Sequence, residues 1–385
     1  MSVTAPQGFE AAGIAAGIKR SGALDLAVVV NRGPLQAGAA VFTSNRAKAN
    51  PILWSEQAVK DGTVAAIVLN SGGANCFTGP EGFQVTHRTA EAAASALGIA
   101  AGDVLVCSTG LIGDQLDGEV VEEGVLSATN RLAGDEEAGA DAARAIMTTD
   151  STPKTVEVVV DGWRIGGMAK GAGMLAPGLA TMLVVLTTDA VVDSTGLDVA
   201  LRRATRVTFD RLDSDGCMST NDQVTLLASG ASGVEPDPET FGEALTTACR
   251  DLALQLQGDA EGASHDIAIE VRGAISEDDA VEVGRAIARN ALFKTAIFGN
   301  DPNWGRVLAA IGTTAAPFDP YLVDVTMNGV RVCHAGRPDR PREDVDLTPR
   351  ATSVLVELHA GEASATIWTN DLTHGYVHEN SAYSS

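Results

Sequence analysis

Thr181 follows the run Lys170-Gly171-Ala172-Gly173-Met174-Leu175-Ala176-Pro177-Gly178-Leu179-Ala180 and leads into Met182-Leu183-Val184-Val185-Leu186-Thr187-Thr188, a segment of strand composition. The run supplies one cation, three glycines and a proline ahead of a small-residue Ala-Thr junction. If the Ala180–Thr181 peptide bond breaks, Thr181 gains a free α-amine beside its own hydroxyl, which puts a nucleophile and its base in one residue. An α-amine titrates at roughly 7.7–8.0, so it can take the hydroxyl proton near neutral pH without any histidine. On residue types alone, a threonine that merely leads a buried strand has the better claim to the same pattern.

Other constellations carry less chemistry. Ser108-Thr109-Gly110-Leu111-Ile112-Gly113 follows a strand-like run and could turn backbone N–H groups and a hydroxyl toward a developing oxyanion. A glycine-bearing turn explains it as well. Gly171-Ala172-Gly173 lacks the third glycine of the dinucleotide fingerprint, and Gly166 to Lys170 does not fit the phosphate-loop pattern. Of the six histidines, only His374 and His378 have a metal-like spacing, and Gly375 between them argues against the helix that a zinc pair would need. Cys333 and His334 are neighbours in a strand-like run and must point to opposite faces, so they make no thiol–imidazole pair.

Composition bounds the partners. Fifty acidic residues against 27 basic ones give a net charge of −23, which disfavours nucleic acid and anionic membranes because neutralising phosphate requires a basic stripe. The five cysteines are widely spaced, with no C-x-x-C pair; this fits a reduced, cytoplasmic protein rather than a disulfide scaffold. The first ten residues lack the basic and apolar regions of a signal peptide. Residues 171–188 are free of charge, but Pro177 and the glycines argue against a spanning helix. With 385 residues the chain exceeds what one core usually supports, so two intimately packed subdomains are expected.

The elements that must position these residues alternate along the chain. Apolar runs predict strands over 27–30, 65–69, 104–107 and 182–188, and helical spacing predicts helices over 85–97, 136–147, 195–206, 237–257 and 277–291. Asp161-Gly162 marks a hairpin between 156–160 and 163–165. Alternation over 266–271 predicts a half-buried strand, and 353–358 with 363–368 predicts a second hairpin around Ala360-Gly361. Together these predict a mixed α/β (α+β) fold of layered helices and mixed sheets.

The Lys170–Met182 run resembles the self-cleavage motif of the ornithine acetyltransferase family. Ordered matches cover nearly the whole chain: Gly8-Phe9, Val41-Phe42-Thr43-Ser44-Asn45-Arg46, Asn70-Ser71-Gly72-Gly73-Ala74-Asn75, Ser108-Thr109-Gly110, Ile146-Met147-Thr148-Thr149-Asp150, Ser219-Thr220-Asn221-Asp222, Asp259-Ala260-Glu261-Gly262-Ala263, Asn300-Asp301-Pro302-Asn303-Trp304-Gly305-Arg306, and the closing Glu379-Asn380-Ser381-Ala382-Tyr383-Ser384-Ser385. The resemblance implies autoproteolysis at Ala180–Thr181 into an α segment, 1–180, and a β segment, 181–385. It implies Thr181 as nucleophile, Thr109 and Gly110 as the oxyanion hole, and Thr148, Lys170, Thr181, Glu261, Asn380 and Ser385 as the amino-acid site. It further implies acetyl transfer from N2-acetylornithine to glutamate, acetyl-CoA as a possible second donor, no metal or organic cofactor, and an α2β2 tetramer. Gly178, where the family commonly has a polar residue, and Cys217-Met218, in a usually more hydrophilic segment, depart from the pattern. A fold-related group of self-processed aminopeptidases, usually with a serine nucleophile, stands as the alternative, with an amidohydrolase and a non-catalytic amino-acid sensor behind it.

Overall fold

The computed structural model describes residues 2–176 and 182–382. Their contacts divide them into two units: the described residues of Met1–Ala172, Gly178–Asp210 and Met218–Leu256, and those of Gly173–Pro177, Arg211–Cys217 and Gln257–Ser385.

In chain order the first unit runs β1 (Phe9–Ile14), β2 (Leu26–Asn31), β3 (Ala37–Phe42), α1 (Asn50–Ala58), β4 (Ala66–Ser71), α2 (Gly79–Leu97), β5 (Val104–Thr109), α3 (Gly118–Thr129), α4 (Glu136–Ala145), β6 (Lys154–Val160), β7 (Trp163–Lys170), β8 (Leu183–Thr188), α5 (Ser194–Arg206), β9 (Gln223–Ala228) and α6 (Pro238–Gly258). Two mixed sheets result, ordered β1-β2-β4-β5 and β3-β9-β8-β7-β6. In the first sheet, Val28, Val30, Val68, Val104 and Val106 pack with Ala90 and Ala93 of α2 and with Val121 and Val125 of α3. The alternate residues Ala27, Val29, Ile67, Leu69 and Leu105 join Ala142 and Ala143 of α4 and Met168, Leu183 and Val185 of the second sheet. Both faces of each central strand are therefore dry, which is why these strands read as unbroken apolar runs rather than as alternating ones. On the second sheet, α5 packs against β3 and β9, and Trp163 of β7 meets Phe241 of α6 with ring centroids 5.5 Å apart.

The second unit continues with β10 (Asp266–Ala274), α7 (Glu277–Ala288), α8 (Ala291–Phe298), α9 (Trp304–Ile311), β11 (Asp324–Met327), β12 (Val330–His334), β13 (Arg337–Pro338), β14 (Ala351–Glu357), β15 (Ala363–Asn370) and α10 (His374–Ala382). Its sheet runs β13-β12-β11-β14-β10-β15. Ile267, Ile269, Val271, Val325, Val354, Val356 and Ile367 form one apolar face, covered by Val283 and Ile287 of α7 and by residues of α8 and α9. Half-burial of this kind imposes the alternation visible over 266–271.

The mixed α/β expectation holds, with two local corrections. The hairpin predicted around Ala360-Gly361 does not form, because β10 lies between its arms, parallel to β14 and antiparallel to β15. β10 takes the hydrogen-bonding edge of each arm, and sequence spacing alone cannot show such an insertion. The segment at His374–His378, where Gly375 argued against a helix, opens α10. In contrast, the 156–165 hairpin pairs from Val160↔Trp163 onward as the Asp-Gly turn requires. Cys333 is buried while His334 is exposed, on opposite faces of β12. No helix among the described residues is long and apolar enough to cross a membrane.

β7 and β8 are antiparallel neighbours, paired from Ile165↔Thr188 to Lys170↔Leu183. The expected cut at Ala180–Thr181 falls in their connection, so it would leave one strand of the pair in each segment without removing a ladder hydrogen bond. In the processed protein the two polypeptides should therefore elute together in native size exclusion and separate only under denaturing conditions. Separate native peaks would show that this pairing does not hold them.

Candidate active site

Ala180, Thr181 and Ser385 lie outside the described residues. The remaining expected site residues fall into two groups, one in each unit.

In the first unit, β5 ends at Thr109 and β7 ends at Lys170. Lys170 is buried, and its Nζ donates to Thr109 Oγ1 at 3.1 Å. Because that oxygen accepts from the ammonium, the threonine hydroxyl keeps its own hydrogen to donate elsewhere. The Thr109 carbonyl accepts from the backbone N–H groups of Gly72 and Gly73, at 2.9 and 3.0 Å, so the Asn-Ser-Gly-Gly turn after β4 braces the strand end. Gly110 has φ +135°, and a Cβ there would lie 2.6 Å from Gly73 N. Only glycine satisfies both constraints, and the resulting turn exposes backbone immediately after Thr109.

Asp150 ties this arrangement together, although in the sequence it is only one position of a motif. Its Oδ1 accepts from Lys154 Nζ at 2.6 Å and from Gly171 N at 2.7 Å, and its Oδ2 accepts from Thr148 N at 2.9 Å. One carboxylate thus ties the start of β6, the residue after Lys170 and the backbone of Thr148. Burial by itself would raise its pKa, but the cations of Lys170 and Lys154, together with the Gly171 N–H, outweigh burial and hold it down at about 2.

In the second unit, residues 173–176 of the glycine run lie with Glu261. A Cβ on Gly173 would sit 2.5 Å from Glu261 Oε2, so the carboxylate approaches the backbone as only glycine permits. Glu261 Oε2 also accepts from Asn380 Nδ2 at 2.9 Å. This brings together two residues 119 positions apart, and the carboxy-terminal helix α10 makes it possible: Thr373 Oγ1, just before α10, donates to Gly262 O at 2.6 Å and accepts from Tyr376 N at 2.9 Å. Glu261 borders a cavity of about 320 Å³ that is also lined by Ser214, Asp215, Lys294, Asp371 and Tyr376. Burial raises the Asp215 carboxyl despite N–H bonds from Cys217 and Met174. Burial likewise lowers the Lys294 ammonium, against the pull of Asp215, Asp213 and Asp371. Burial, with the charges of Asp215 and Glu261, pushes the Tyr376 hydroxyl up to about 12. A pocket of this size with carboxylates in its wall suits the ammonium end of an amino acid. Asp215, Lys294 and Tyr376 carried no signal in the sequence, because none belongs to a spaced motif.

The histidines stay outside this chemistry. His265 Nδ1 meets both Asp371 Oδ2 (2.8 Å) and Ser264 Oγ (3.0 Å), while Nε2 faces the Leu347 carbonyl at 2.9 Å. With both nitrogens engaged within the fold, this Ser-His-Asp cluster is not arranged as a triad. His374 packs edge-on against Phe298, with centroids 5.5 Å apart.

The model of the ArgJ family matches residues 10–385. The chain belongs to the ArgJ family. It is 63% identical over 385 residues to the arginine biosynthesis bifunctional protein ArgJ of Streptomyces coelicolor and 60% identical over 385 residues to that of Thermobifida fusca, covering all of each chain in both cases. Among solved structures it resembles an ornithine acetyltransferase from Mycobacterium tuberculosis complexed with ornithine, at 53% identity and TM-score 0.46, over 47% of this chain and 96% of that one. The family reading made from the motifs is borne out, and with it the reading of the chain as an enzyme of arginine biosynthesis.

The Asp150 node can be tested through stability. Its pKa falls from roughly 3.9 in an unfolded chain to about 2 in the fold, so its contribution is complete above pH 4 and is lost as pH falls through about 2. Asp150→Ala, which withdraws the carboxylate from buried Lys154, should cost about 3–5 kcal/mol at pH 7 in a denaturant titration. The gap to wild type should narrow from pH 4 downward. A gap that stays constant across that range would contradict the assignment.

Proposed function

We propose that the enzyme transfers the acetyl group of N2-acetylornithine to glutamate through an acetyl-Thr181 ester, after cutting itself at Ala180–Thr181 into segments 1–180 and 181–385. The observation that carries this reading is the buried Lys170–Thr109 contact of 3.1 Å at the end of the strand that runs into the Thr181 segment, with Gly110 held in its exposed turn.

The residues divide the work as follows. The Thr181 α-amine takes the hydroxyl proton as Oγ attacks the acetyl carbonyl. The oxyanion receives hydrogen bonds from the Thr109 hydroxyl, which Lys170 leaves with a hydrogen to donate, and from the backbone at Gly110; one such donor is typically worth roughly 10²–10³ in kcat. The amine then returns its proton to the leaving nitrogen of ornithine, and the ammonium of glutamate, once deprotonated, attacks the ester to give N-acetylglutamate. Lys170 and Thr148 serve the substrate carboxylate, while Glu261, held by Asn380, serves an ammonium. Ser385 belongs to the same amino-acid site on the family resemblance. No metal or organic cofactor enters this scheme. Acetyl-CoA as a second acetyl donor accords with the word bifunctional in the names of the relatives. A cytoplasmic α2β2 assembly belongs to the same proposal, supported by the family resemblance.

Intact mass and an acetyl-transfer assay test the scheme together. The purified protein should consist of two chains parted at Ala180–Thr181, and Thr181→Ala should remain one chain with no transfer from N2-acetylornithine to glutamate. Lys170→Met should raise KM for N2-acetylornithine and lower kcat, since it serves both the carboxylate and Thr109. Acetate release that ignores added glutamate would identify an amidohydrolase or aminopeptidase instead, and retained transfer in Thr181→Ala would place the nucleophile elsewhere.

A further inference from the structure

Asp222 is fully buried, stands at the head of β9, and faces the residue that follows Thr181. Its Oδ1 accepts from Met182 N at 3.1 Å, and Met182 O accepts from Gln223 N at 3.2 Å. Both backbone groups of Met182 are therefore fixed by two consecutive residues of the neighbouring parallel strand, in the Leu183↔Gln223 register. Asp222 is itself anchored, since its carbonyl accepts from Thr43 N at 2.9 Å.

The residue before it reaches the other side of the same chemistry. Asn221 Nδ2 donates to Ser108 O at 2.8 Å and to Ala74 O at 2.6 Å. Ser108 precedes Thr109, and Ala74 follows the glycines that brace the Thr109 carbonyl. Adjacent side chains thus hold the strand end that carries the oxyanion donors and the peptide unit that leaves Thr181.

Asp222 Oδ2 is buried and has no hydrogen-bond partner among the described residues. Among the nearby hydroxyls, Thr43 Oγ1 donates to Ser219 O at 2.7 Å, and Ser219 Oγ accepts from Asn221 N at 3.0 Å. A charged carboxylate with one oxygen left bare in a dry site is costly. Burial raises its pKa well above the ordinary carboxylate value, and the Met182 N–H and the Lys170 cation offset this only in part. The described contact of the side chain is the one its Oδ1 accepts from Met182 N.

We propose that Asp222 is a positioning residue for the nucleophile: its side-chain oxygen fixes the backbone of Met182, and Asn221 beside it fixes the Thr109 strand end, so the 221–222 pair sets the distance between nucleophile and oxyanion donors. The inference rests on the assignment of Thr181 as nucleophile. A shift of about 1 Å between such groups can cost on the order of 100-fold in rate, although Asp222 itself touches no substrate.

The test compares wild type, Asp222→Asn and Asp222→Ala, following the cut fraction by intact mass from the earliest purified sample and then the kinetics of acetyl transfer. Asp222→Asn keeps a side-chain oxygen that can accept from Met182 N and should cut and turn over within about threefold of wild type. Asp222→Ala should slow cutting on the order of 100-fold, and its processed fraction should lose more than about tenfold in kcat with KM for N2-acetylornithine within about twofold, because alignment fails while binding survives. If Asp222→Ala does not fold, as judged by its thermal melt, Asp222→Ser withdraws the acceptor while keeping polarity and is read the same way. Wild-type rates in the Ala or Ser variant, a raised KM at unchanged kcat, or an Asn variant as damaged as Ala would each overturn the inference while leaving Thr181 in place. A wild-type protein not cut at Ala180–Thr181 would overturn the nucleophile assignment and this inference with it.

Discussion

A single buried carboxylate sets the geometry around Lys170 and Thr148 in the first unit. Asp150 accepts from Lys154, from the N–H of Gly171 and from the N–H of Thr148, and it interacts with Lys170 through space. Removing a carboxylate and lysines from water is expensive, and the cost is met only when geometry and further hydrogen bonds are good. Here they are, and the result is rigidity where it counts. Lys170 is fixed from behind, so its ammonium can lean on Thr109 Oγ1 and orient that hydroxyl as a donor. A lysine without such a counterpart would lose its charge to burial, and with it the contact that orients Thr109.

Sheet architecture is compatible with the proposed cut at Ala180–Thr181. β7 and β8 pair along their length, and β9 holds β8 from the other side in parallel register. Met168, Leu183 and Val185 belong to one apolar cluster with Ile67, Leu69 and Leu105 of the first sheet. Cutting the connection between two strands so held changes the covalent chain but not the hydrophobic contacts that hold it, and hydrophobic burial is the dominant favourable term in folding. In the proposed scheme the free amine would then arise without disturbing the packing around Thr109 and Lys170, as electrostatic preorganisation requires.

The second unit makes a different kind of contribution. Its cavity gathers Glu261, Asp215 and Asp371 with Lys294, a mixture of charges suited to a zwitterion rather than to a purely anionic or apolar ligand. Docking of α10 through Thr373 and Gly262 brings Asn380 onto Glu261. That gives a polar carboxy-terminal segment, unremarkable in composition, a definite role.

Much of this was legible in the sequence. Apolar runs located β2, β4, β5 and β8 because strands dry on both faces need no alternation, Asp161-Gly162 located a hairpin because a two-residue turn needs positive φ, and the Lys170–Met182 run with its companion motifs located the family. What the sequence could not show is what depends on distant residues meeting. The β14–β15 hairpin fails because β10 takes the place between its arms. Asp150 and Asp222 stood within motifs, but their roles depend on which backbone N–H each one faces, and that is settled by strand register between segments dozens of residues apart. The chain determined by itself the chemistry available at Ala180–Thr181, because a nucleophile and a latent amine are properties of one residue. Only the tertiary structure decided which buried carboxyl is set beside lysines and which accepts from the Met182 N–H, because that depends on the polar groups packing brings within about 3 Å of each oxygen.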